Sequence, residues 1–561
     1  MKNIPLFSYD KELYSDDLAP IAPDKRTWNK WHLAALWVGM AVCIPTYLLA
    51  SYMITQGMHW LEAIVIIGVA NLIITIPMVL NGHAGVKYGI PFPVIGRSCF
   101  GIKGVHIPSI VRAFIACGWF GIQTWIGGLA IYAIVTTLMG IETDTSLSLG
   151  KFIAFGIFWL VNIYFIWRGT ESIKWLEEFS APILILMGLL LIYWGYQKAG
   201  GFDIVLQQSQ QLEKPAATLV QENDAYTLQL HPLHDKNNVS KADEFLLTIN
   251  GVPQTWKPVA TEIALPEAGS TPPEVSVQFR KKTADNSYVY SSIANATLDD
   301  KAEKTASSRI WNYILWLTIM VGFWATMSIS ISDITRFAID QKAQIEGQFL
   351  GLPLSMMLYS FVGIFVTCAA VINFNDILIA NDAPWDPVSL IAKFDNKWVV
   401  IFAQVMLLIA TLSTNIAANV IAPANIFANI YPQKIDFKRG GLIAGLIGIA
   451  LCPWWLLNDI SNLLIFVSGL LGPVLGIMLA DYFVVRKTQL SLSDLFHLQG
   501  QYTYQSGFNI AAIIALVVGV IVALLGYFIE ALSPLYKLSW FSGFGVAFLV
   551  YVLLMRQTKS T

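Results

Sequence analysis

Trp119 and Gln123 stand four residues apart in Trp119-Phe-Gly-Ile-Gln123. On a helix that spacing puts both side chains on one face, about a turn apart. One face then offers an indole plate beside a carboxamide. A second indole follows a phenylalanine at Phe323-Trp324, and a further carboxamide stands at Asn419. Two indoles can sandwich a flat ring, and each amide brings a donor and an acceptor to a ureide edge. The chemistry is recognition of a neutral, planar, amide-bearing molecule. Such a site rejects isosteres lacking the hydrogen bonds, because its own buried amides are left unpaired. A membrane tryptophan is often a packing or interfacial residue instead. Trp119 and Trp324, however, lie in the interior of their apolar segments, away from an interfacial belt.

A second set of residues points to a cation. The segment Gly39-Met-Ala-Val-Cys-Ile-Pro45 places a proline inside an apolar run. Proline donates no backbone hydrogen bond and disfavours helix at the residue before it, so carbonyls near Val42 to Ile44 are freed, with Cys43 beside the break. Freed carbonyls in a membrane need a partner: a neighbouring helix, water, a substrate or an ion. Further on, Ala410-Thr-Leu-Ser413-Thr414-Asn415-Ile-Ala-Ala-Asn419 is dense in small polar oxygens. Serine and threonine hydroxyls can simply bond the carbonyl one turn back. In the alternative reading, the Ser413 and Thr414 hydroxyls, the Ala410 carbonyl and the carbonyls of Gly39 and Val42 form a five-oxygen cage for sodium.

The elements that must position these groups are membrane spans. The chain is 55% hydrophobic and 13% charged, about half the charge of an average soluble protein. Runs long enough to cross a bilayer fall near 33-55, 60-80, 107-139, 150-167, 179-197, 309-331, 348-372, 397-421, 440-454, 460-483, 508-530 and 538-555, which makes twelve. The ninth is short and ends at Pro453-Trp454-Trp455. The polar first thirty residues lack the apolar core of a secretory signal. Basic residues cluster in the N-terminal segment and in every second loop, among them Lys87, Arg97, Lys103, Lys174, Lys342, Lys438 and Lys487. The opposite short loops carry Glu142, Asp144, Asp376, Asp382 and Asp386. The positive-inside rule then puts both termini in the cytoplasm of a multi-pass protein of the inner or plasma membrane. Five cysteines lie in spans or a cytoplasmic loop, which predicts no structural disulfide. Apart from residues near span ends, such as Arg112, Asp333, Asp481 and Glu530, no acid, lysine or histidine stands mid-span. A carboxylate proton relay is therefore not visible, and a charged substrate finds no counter-ion.

Residues 200–308 break the membrane pattern. Ala225-Tyr-Thr-Leu-Gln-Leu-His231, Phe245-Leu-Leu-Thr-Ile249, Val275-Ser-Val-Gln-Phe279 and Tyr288-Val-Tyr290 alternate as half-buried strands between turns, which predicts a small β-rich extracytoplasmic domain. It is read either as an insertion tolerated in an exposed loop or as a module for an unidentified partner or ligand. Asn238-Val-Ser and Asn295-Ala-Thr match the glycosylation pattern, which arises by chance in polar sequence. The expected organisation is a cytoplasmic segment (1–31), five spans (32–199), the insertion (200–308), five spans (309–483), a cytoplasmic loop (484–507) and two spans with a tail (508–561). Five spans on either side of the insertion suit two inverted repeats, with a binding site at the midplane between the broken first helices of each half, the second break falling at Gly322 in Val321-Gly-Phe-Trp-Ala325.

With these residues in place, the chain resembles the nucleobase:cation symporter family 1, which contains hydantoin, allantoin, uracil, cytosine and related permeases. The resemblance runs over almost the whole membrane portion. Carrying it are Asn81-Gly-His-Ala-Gly-Val-Lys-Tyr-Gly-Ile-Pro-Phe-Pro93, Ala116-Cys-Gly-Trp-Phe-Gly-Ile-Gln-Thr-Trp125, Ser413-Thr-Asn-Ile-Ala-Ala-Asn419 and Gly472-Pro-Val-Leu-Gly-Ile-Met-Leu-Ala-Asp-Tyr-Phe483. It implies an all-α polytopic fold with a ten-helix core of two inverted repeats plus two C-terminal helices. It also implies that Trp119 and Trp324 stack on the substrate, Gln123 and Asn419 hydrogen-bond it, Phe323 lies against it, and Leu464 forms an extracellular thin gate. The family's sodium ligands fall on Gly39, Val42, Ala410, Ser413 and Thr414. Two departures stand out: Cys43 replaces a glutamine of the hydantoin permease in the substrate site, and the long insertion is foreign to the usual pattern. Cys43-Ile-Pro-Thr-Tyr47 most resembles the allantoin and uracil branch, so the expected cargo is allantoin or uracil, with hydantoin-like compounds as further candidates.

The expected function is thus cation-coupled import of a small neutral heterocycle across a lipid membrane, without a cofactor or nucleic acid. Family members differ between sodium and proton coupling, and the intact Ser413 and Thr414 hydroxyls favour sodium. A proton-coupled cytosine or purine permease is the rival within transport. A membrane sensor that uses the external β domain is the rival of another class. The chain has no His-Glu-x-x-His, Gly-x-Ser-x-Gly or phosphate-loop motif, so no enzyme is read from it.

Overall fold

The computed structural model describes residues 8–55, 58–141, 147–207, 216–222, 225–231, 242–265, 273–282, 288–291, 293–298, 309–373, 387–392, 394, 396–456 and 460–557. Glu142, Asp144, Asp376, Asp382, Asp386, the Asn238 triplet and the end of the insertion lie outside the described residues. In hydrocarbon, a helix satisfies every backbone group within its own segment, and the apolar runs fold accordingly. In chain order the helices are α1 (Lys30–Ala41), α2 (Ile44–Thr55), α3 (Trp60–Tyr88), α4 (Phe92–Phe100), α5 (His106–Met139), α6 (Leu149–Arg168), α7 (Thr170–Ala199) and α8 (Phe202–Gln207). Beyond the insertion come α9 (Arg309–Phe323), α10 (Ala325–Ser330), α11 (Ser332–Thr335), α12 (Gln341–Asn373), α13 (Pro387–Ala392), α14 (Lys397–Asn419), α15 (Ile421–Ile430), α16 (Phe437–Ala450), α17 (Pro453–Leu456), α18 (Ile460–Leu479), α19 (Ile510–Phe528), α20 (Ser533–Lys537) and α21 (Ser539–Gln557).

Among the described residues, nine helical stretches are long and apolar enough to cross a bilayer, and ten if the bent pair α1 and α2 is one span. Two other expected spans are helical but divided. Residues 309–331 split into α9 and α10, and 440–454 into α16 and α17. The second break has a local cause: Cys452 takes a φ of 50°, and the chain re-enters helix with Pro453 at the first position, where its missing N–H costs nothing. The exposed face of α3 carries Leu61, Val65, Val69, Leu72, Ile76 and Leu80 at spacings of three and four, an apolar stripe turned to lipid.

The helices around the site approach closely because small residues meet. A Cβ on Gly121 of α5 would lie 2.4 Å from the Gly448 carbonyl oxygen of α16, and one on Gly448 would lie 2.9 Å from the Cys117 carbonyl oxygen. Without a hydrophobic drive between helices in lipid, such backbone approach is what packs them. Elsewhere a buried carboxylate ties distant segments. Asp481, in a π-helical turn (Ala480–Val485) after α18, accepts bonds from Ser98 Oγ (3.0 Å), Arg486 Nε (2.8 Å) and Tyr551 Oη (2.7 Å).

The insertion is β-structured. One sheet orders the strands Thr297–Leu298, Ala216–Glu222, Ala225–His231 and Glu262–Ala264. The other orders Val252–Pro253, Glu244–Ile249, Val275–Lys282 and Tyr288–Tyr290, with two short strands beside it. Leu228 and Leu230 from the first sheet share one core with Phe245, Leu247, Val277 and Phe279 from the second, every second residue pointing inward. The strand Ala216–Glu222 lies outside the alternating stretches evident in the sequence, whereas its partner Ala225–His231 is one of them.

The Gly121 and Gly448 contact predicts that either glycine→Ala change lowers stability by about 1–3 kcal/mol, because the added methyl meets backbone that cannot rotate away. Thermal melting of the detergent-solubilised protein measures this. An unchanged melting temperature in both variants contradicts the close approach.

Candidate transport site

Two helix breaks organise the centre of the molecule. At the first, α1 ends at Ala41, Val42 leaves helical geometry (φ −79°, ψ 75°), and α2 departs at 59°. The Cys43 N–H bonds the Ala41 carbonyl (3.0 Å) rather than the carbonyl four residues back. Gly39 thereby loses its helical donor, and its carbonyl instead accepts the Thr414 hydroxyl of α14 at 2.9 Å. The second break falls on Trp324 itself (φ −102°, ψ 6°), between α9 and α10, rather than at Gly322. Gly322 serves packing: a Cβ there would lie 1.9 Å from Ser468 Oγ and 3.1 Å from the Leu464 carbonyl oxygen. Leu464 is wholly buried on α18 against this second break.

Between the breaks lies a chain of edge-to-face aromatic rings. Trp119 meets Phe323 (5.7 Å between centroids), Phe323 meets Trp324 (5.0 Å), and Trp324 meets Trp37 of α1 (5.2 Å). Two polar atoms in this apolar cluster, Gln123 Oε1 and Trp324 Nε1, are buried without a hydrogen-bond partner among the described residues. A buried orphan of this kind costs about 1–3 kcal/mol unless a ligand satisfies it. One is an acceptor and the other a donor, which is the complement of an amide edge. The Gln123 side chain adjoins the Cys43 thiol, which also sits 3.3 Å from Thr46 Oγ1.

α14 supplies the remaining groups. Asn419 Nδ2 donates to Asn415 Oδ1 at 3.1 Å, and Asn415 Nδ2 in turn reaches Thr124 Oγ1 of α5 and Asn162 Oδ1 of α6. Ser413 Oγ accepts from Ser180 Oγ of α7 at 2.9 Å. Ala410 is buried one turn before Thr414, on the helix that packs against α1. The structure therefore joins Gly39 to Thr414, Trp119 to Phe323 and Trp324, and Gln123 to Cys43. It links Asn419 to α5 through Asn415. Among the described residues the Thr414 hydroxyl bonds Gly39 and neither Val42 nor Ala410. The Thr414 hydroxyl and the Gly39 carbonyl are both neutral oxygens, the donor type that a hard monovalent cation takes.

Four contributors were missed from the sequence: Trp37, Thr124, Asn162 and Ser180. Asn162 carries a usable signal, since a lone carboxamide inside an apolar run needs a partner. Trp37 and Ser180 carry none, because their roles depend on which helix faces them.

The fold is that of a membrane transporter. It matches the transporter Mhp1, described as a nucleobase-cation-symport-1 family transporter in a closed conformation with bromovinylhydantoin bound, at a TM-score of 0.70 and 23% identity, covering 98% of this chain and 96% of that one. A sodium-coupled sialic acid symporter matches at a TM-score of 0.59 and 11% identity, over 98% of this chain and 93% of that one. The family model for permeases of cytosine/purines, uracil, thiamine and allantoin matches residues 20–221 and 290–543, and the stretch it leaves out lies inside the β insertion. The chain belongs to this family, nucleobase:cation symporter family 1. Relatives include the allantoin permease of Bacillus subtilis, 32% identical over 97% of this chain and 93% of its own length. The purine-uracil permease NCS1 of Arabidopsis thaliana is 34% identical over 96% of this chain and 75% of its own. The protein is thus a permease and not an enzyme.

The Gly39 contact yields a test that needs no ligand. Thr414→Val keeps the shape but removes the one donor that the described residues give a freed, buried carbonyl, so it should cost about 1–3 kcal/mol of stability. Melting in sodium-free buffer measures it, and an unaltered melting temperature would show that the carbonyl finds another donor.

Proposed function

We propose that this permease imports allantoin or uracil, with hydantoin-like compounds as lesser cargo, in symport with sodium. The observation that carries the reading is the pair of orphaned groups, Gln123 Oε1 and Trp324 Nε1, inside an aromatic cluster at the meeting of two helix breaks. In this reading Trp119 and Trp324 stack on the ring with Phe323 at its edge. Gln123 and Asn419 hydrogen-bond it, Cys43 flanks it, and Leu464 gates it from outside. The names of the Bacillus and Arabidopsis relatives support the choice of cargo.

Sodium is held by the carbonyls of Gly39, Val42 and Ala410 and the hydroxyls of Ser413 and Thr414. The Thr414 to Gly39 bond supports this, since it already brings two of the five oxygens within 2.9 Å. Transport proceeds by alternating access: the bundle with the two broken spans rocks against the scaffold of the remaining helices. Twelve spans in two inverted five-helix repeats, at 32–199 and 309–483, plus two C-terminal helices provide the frame, with both termini cytoplasmic and the 200–308 domain outside.

Labelled allantoin and uracil should enter proteoliposomes faster under an inward sodium gradient than under an equal potassium gradient, at fixed pH and clamped potential. Equal uptake under both gradients removes sodium and favours the proton-coupled rival. Absence of uptake of either compound removes the cargo assignment. Trp119→Ala should weaken ligand binding about 5- to 150-fold through lost stacking. Thr414→Ala should weaken it only when sodium is present, because the two ligands share a coupling free energy. An equal loss with and without sodium would count against the cage.

A further inference from the structure

The Asn415 amide nitrogen faces three oxygens: the Phe120 carbonyl at 3.3 Å, Thr124 Oγ1 at 3.1 Å and Asn162 Oδ1 at 3.0 Å. All three are committed as acceptors. The carbonyl has no proton. Thr124 gives its hydroxyl proton to that same carbonyl at 2.6 Å. Asn162 turns its own nitrogen to the Phe158 carbonyl at 2.9 Å, which leaves its oxygen for Asn415. The oxygen and nitrogen of a side-chain amide are told apart by their network. Here the network leaves one arrangement, since a reversed Asn415 would set its oxygen against three acceptors.

The consequence travels along α14. With its nitrogen fixed, Asn415 presents Oδ1 to the residue one turn on, and Asn419 donates Nδ2 to it at 3.1 Å. Asn419 is then oriented too. Its own Oδ1 is held on the side away from Asn415 and accepts no hydrogen bond among the described residues, while the side chain keeps 7% exposure. We infer that Asn415 is a positioning residue which, braced by Thr124 and Asn162, fixes the Asn419 amide with its oxygen toward the cargo, so that the site selects a ring bearing an N–H at that edge. This rests on the reading of Asn419 as a substrate contact.

Uracil and cytosine probe the orientation, because they are alike in size but reverse donor and acceptor along one edge, N–H beside C=O in the first and bare nitrogen beside an amine in the second. Isothermal titration of each into the purified protein gives an affinity ratio. The wild-type chain should favour uracil by about tenfold or more, the worth of one mismatched buried hydrogen bond. Asn415→Leu frees the Asn419 amide to turn over, and the ratio should collapse to within about threefold. Asn415→Asp, as the neutral acid, can still accept from Asn419 and donate to Asn162, so it should retain the wild-type ratio. A purely structural role would instead lower both affinities together and leave the ratio alone.

If Asn415→Leu does not fold, the double change Thr124→Val with Asn162→Leu removes two of the three oxygens that hold the nitrogen and should collapse the ratio in the same way. Asn419→Ala separates the two readings. If it leaves both affinities unchanged, Asn419 is not a substrate contact and the relay falls with that reading. If it weakens uracil while Asn415→Leu leaves the ratio intact, the contact stands and the relay alone is overturned. A wild-type preference for cytosine overturns the orientation, and binding of neither base overturns the predicted preference together with uracil as cargo.

Discussion

In the middle of a bilayer there is no water to take up a loose backbone group, and this constraint decides where the chain can afford to stop being helical. The two breaks that flank the site are each met by specific partners. The turn at Val42 and Cys43 strips the Gly39 carbonyl of its helical donor, and a hydroxyl from α14 replaces it at 2.9 Å. At the second break, the Trp324 N–H falls back on the Val321 carbonyl (3.3 Å), and the Trp324 carbonyl takes the Ser328 N–H (3.0 Å). The breaks are therefore anchored features of the fold. Two polar atoms without a hydrogen-bond partner among the described residues, Gln123 Oε1 and Trp324 Nε1, lie in the aromatic cluster between them.

The constraint explains what was legible in the sequence. Prolines and hydroxyls inside apolar runs are conspicuous because each requires a partner, so Pro45, Ser413 and Thr414 could be singled out before any fold was known. The four-residue spacing of Trp119 and Gln123 survives because α5 is continuous through both. The strand at Ala225–His231 was legible from its alternation, and its partner at Ala216–Glu222 became evident only through pairing, Leu219 opposite Leu228. Helices divided by local geometry were harder. The break at Cys452 depends on a left-handed residue that composition does not announce. The switch from Gly322 to Trp324 as the break point reflects close packing of the glycine on α18, a contact between segments more than a hundred residues apart.

Partnership between helices is also why the polar scaffold was missed. Asn162, Thr124 and Asn415 belong to three different helices, and only their convergence makes a network. Each alone reads as a hydroxyl or amide that bonds its own helix, and two of them do so: Thr124 to the Phe120 carbonyl and Asn162 to the Phe158 carbonyl. These local bonds consume the donors and leave acceptors, and it is the leftover acceptors that orient Asn415. Local satisfaction and long-range order are here the same set of hydrogen bonds.

The first break also offers a physical basis for coupling. Gly39 and Cys43 are the two ends of one interrupted turn: the carbonyl of the first is the one released when the N–H of the second turns to Ala41. On the proposed reading, Gly39 faces the cation and Cys43 flanks the cargo beside Gln123. A cation that takes the Gly39 carbonyl stabilises the broken form of the turn, and the broken form is what places Cys43 against Gln123. Each ligand then favours the backbone geometry that the other needs, and the coupling between them is reciprocal by necessity. No contact between ion and substrate is required, because the two-residue interruption at Val42 and Cys43 carries the free energy from one site to the other.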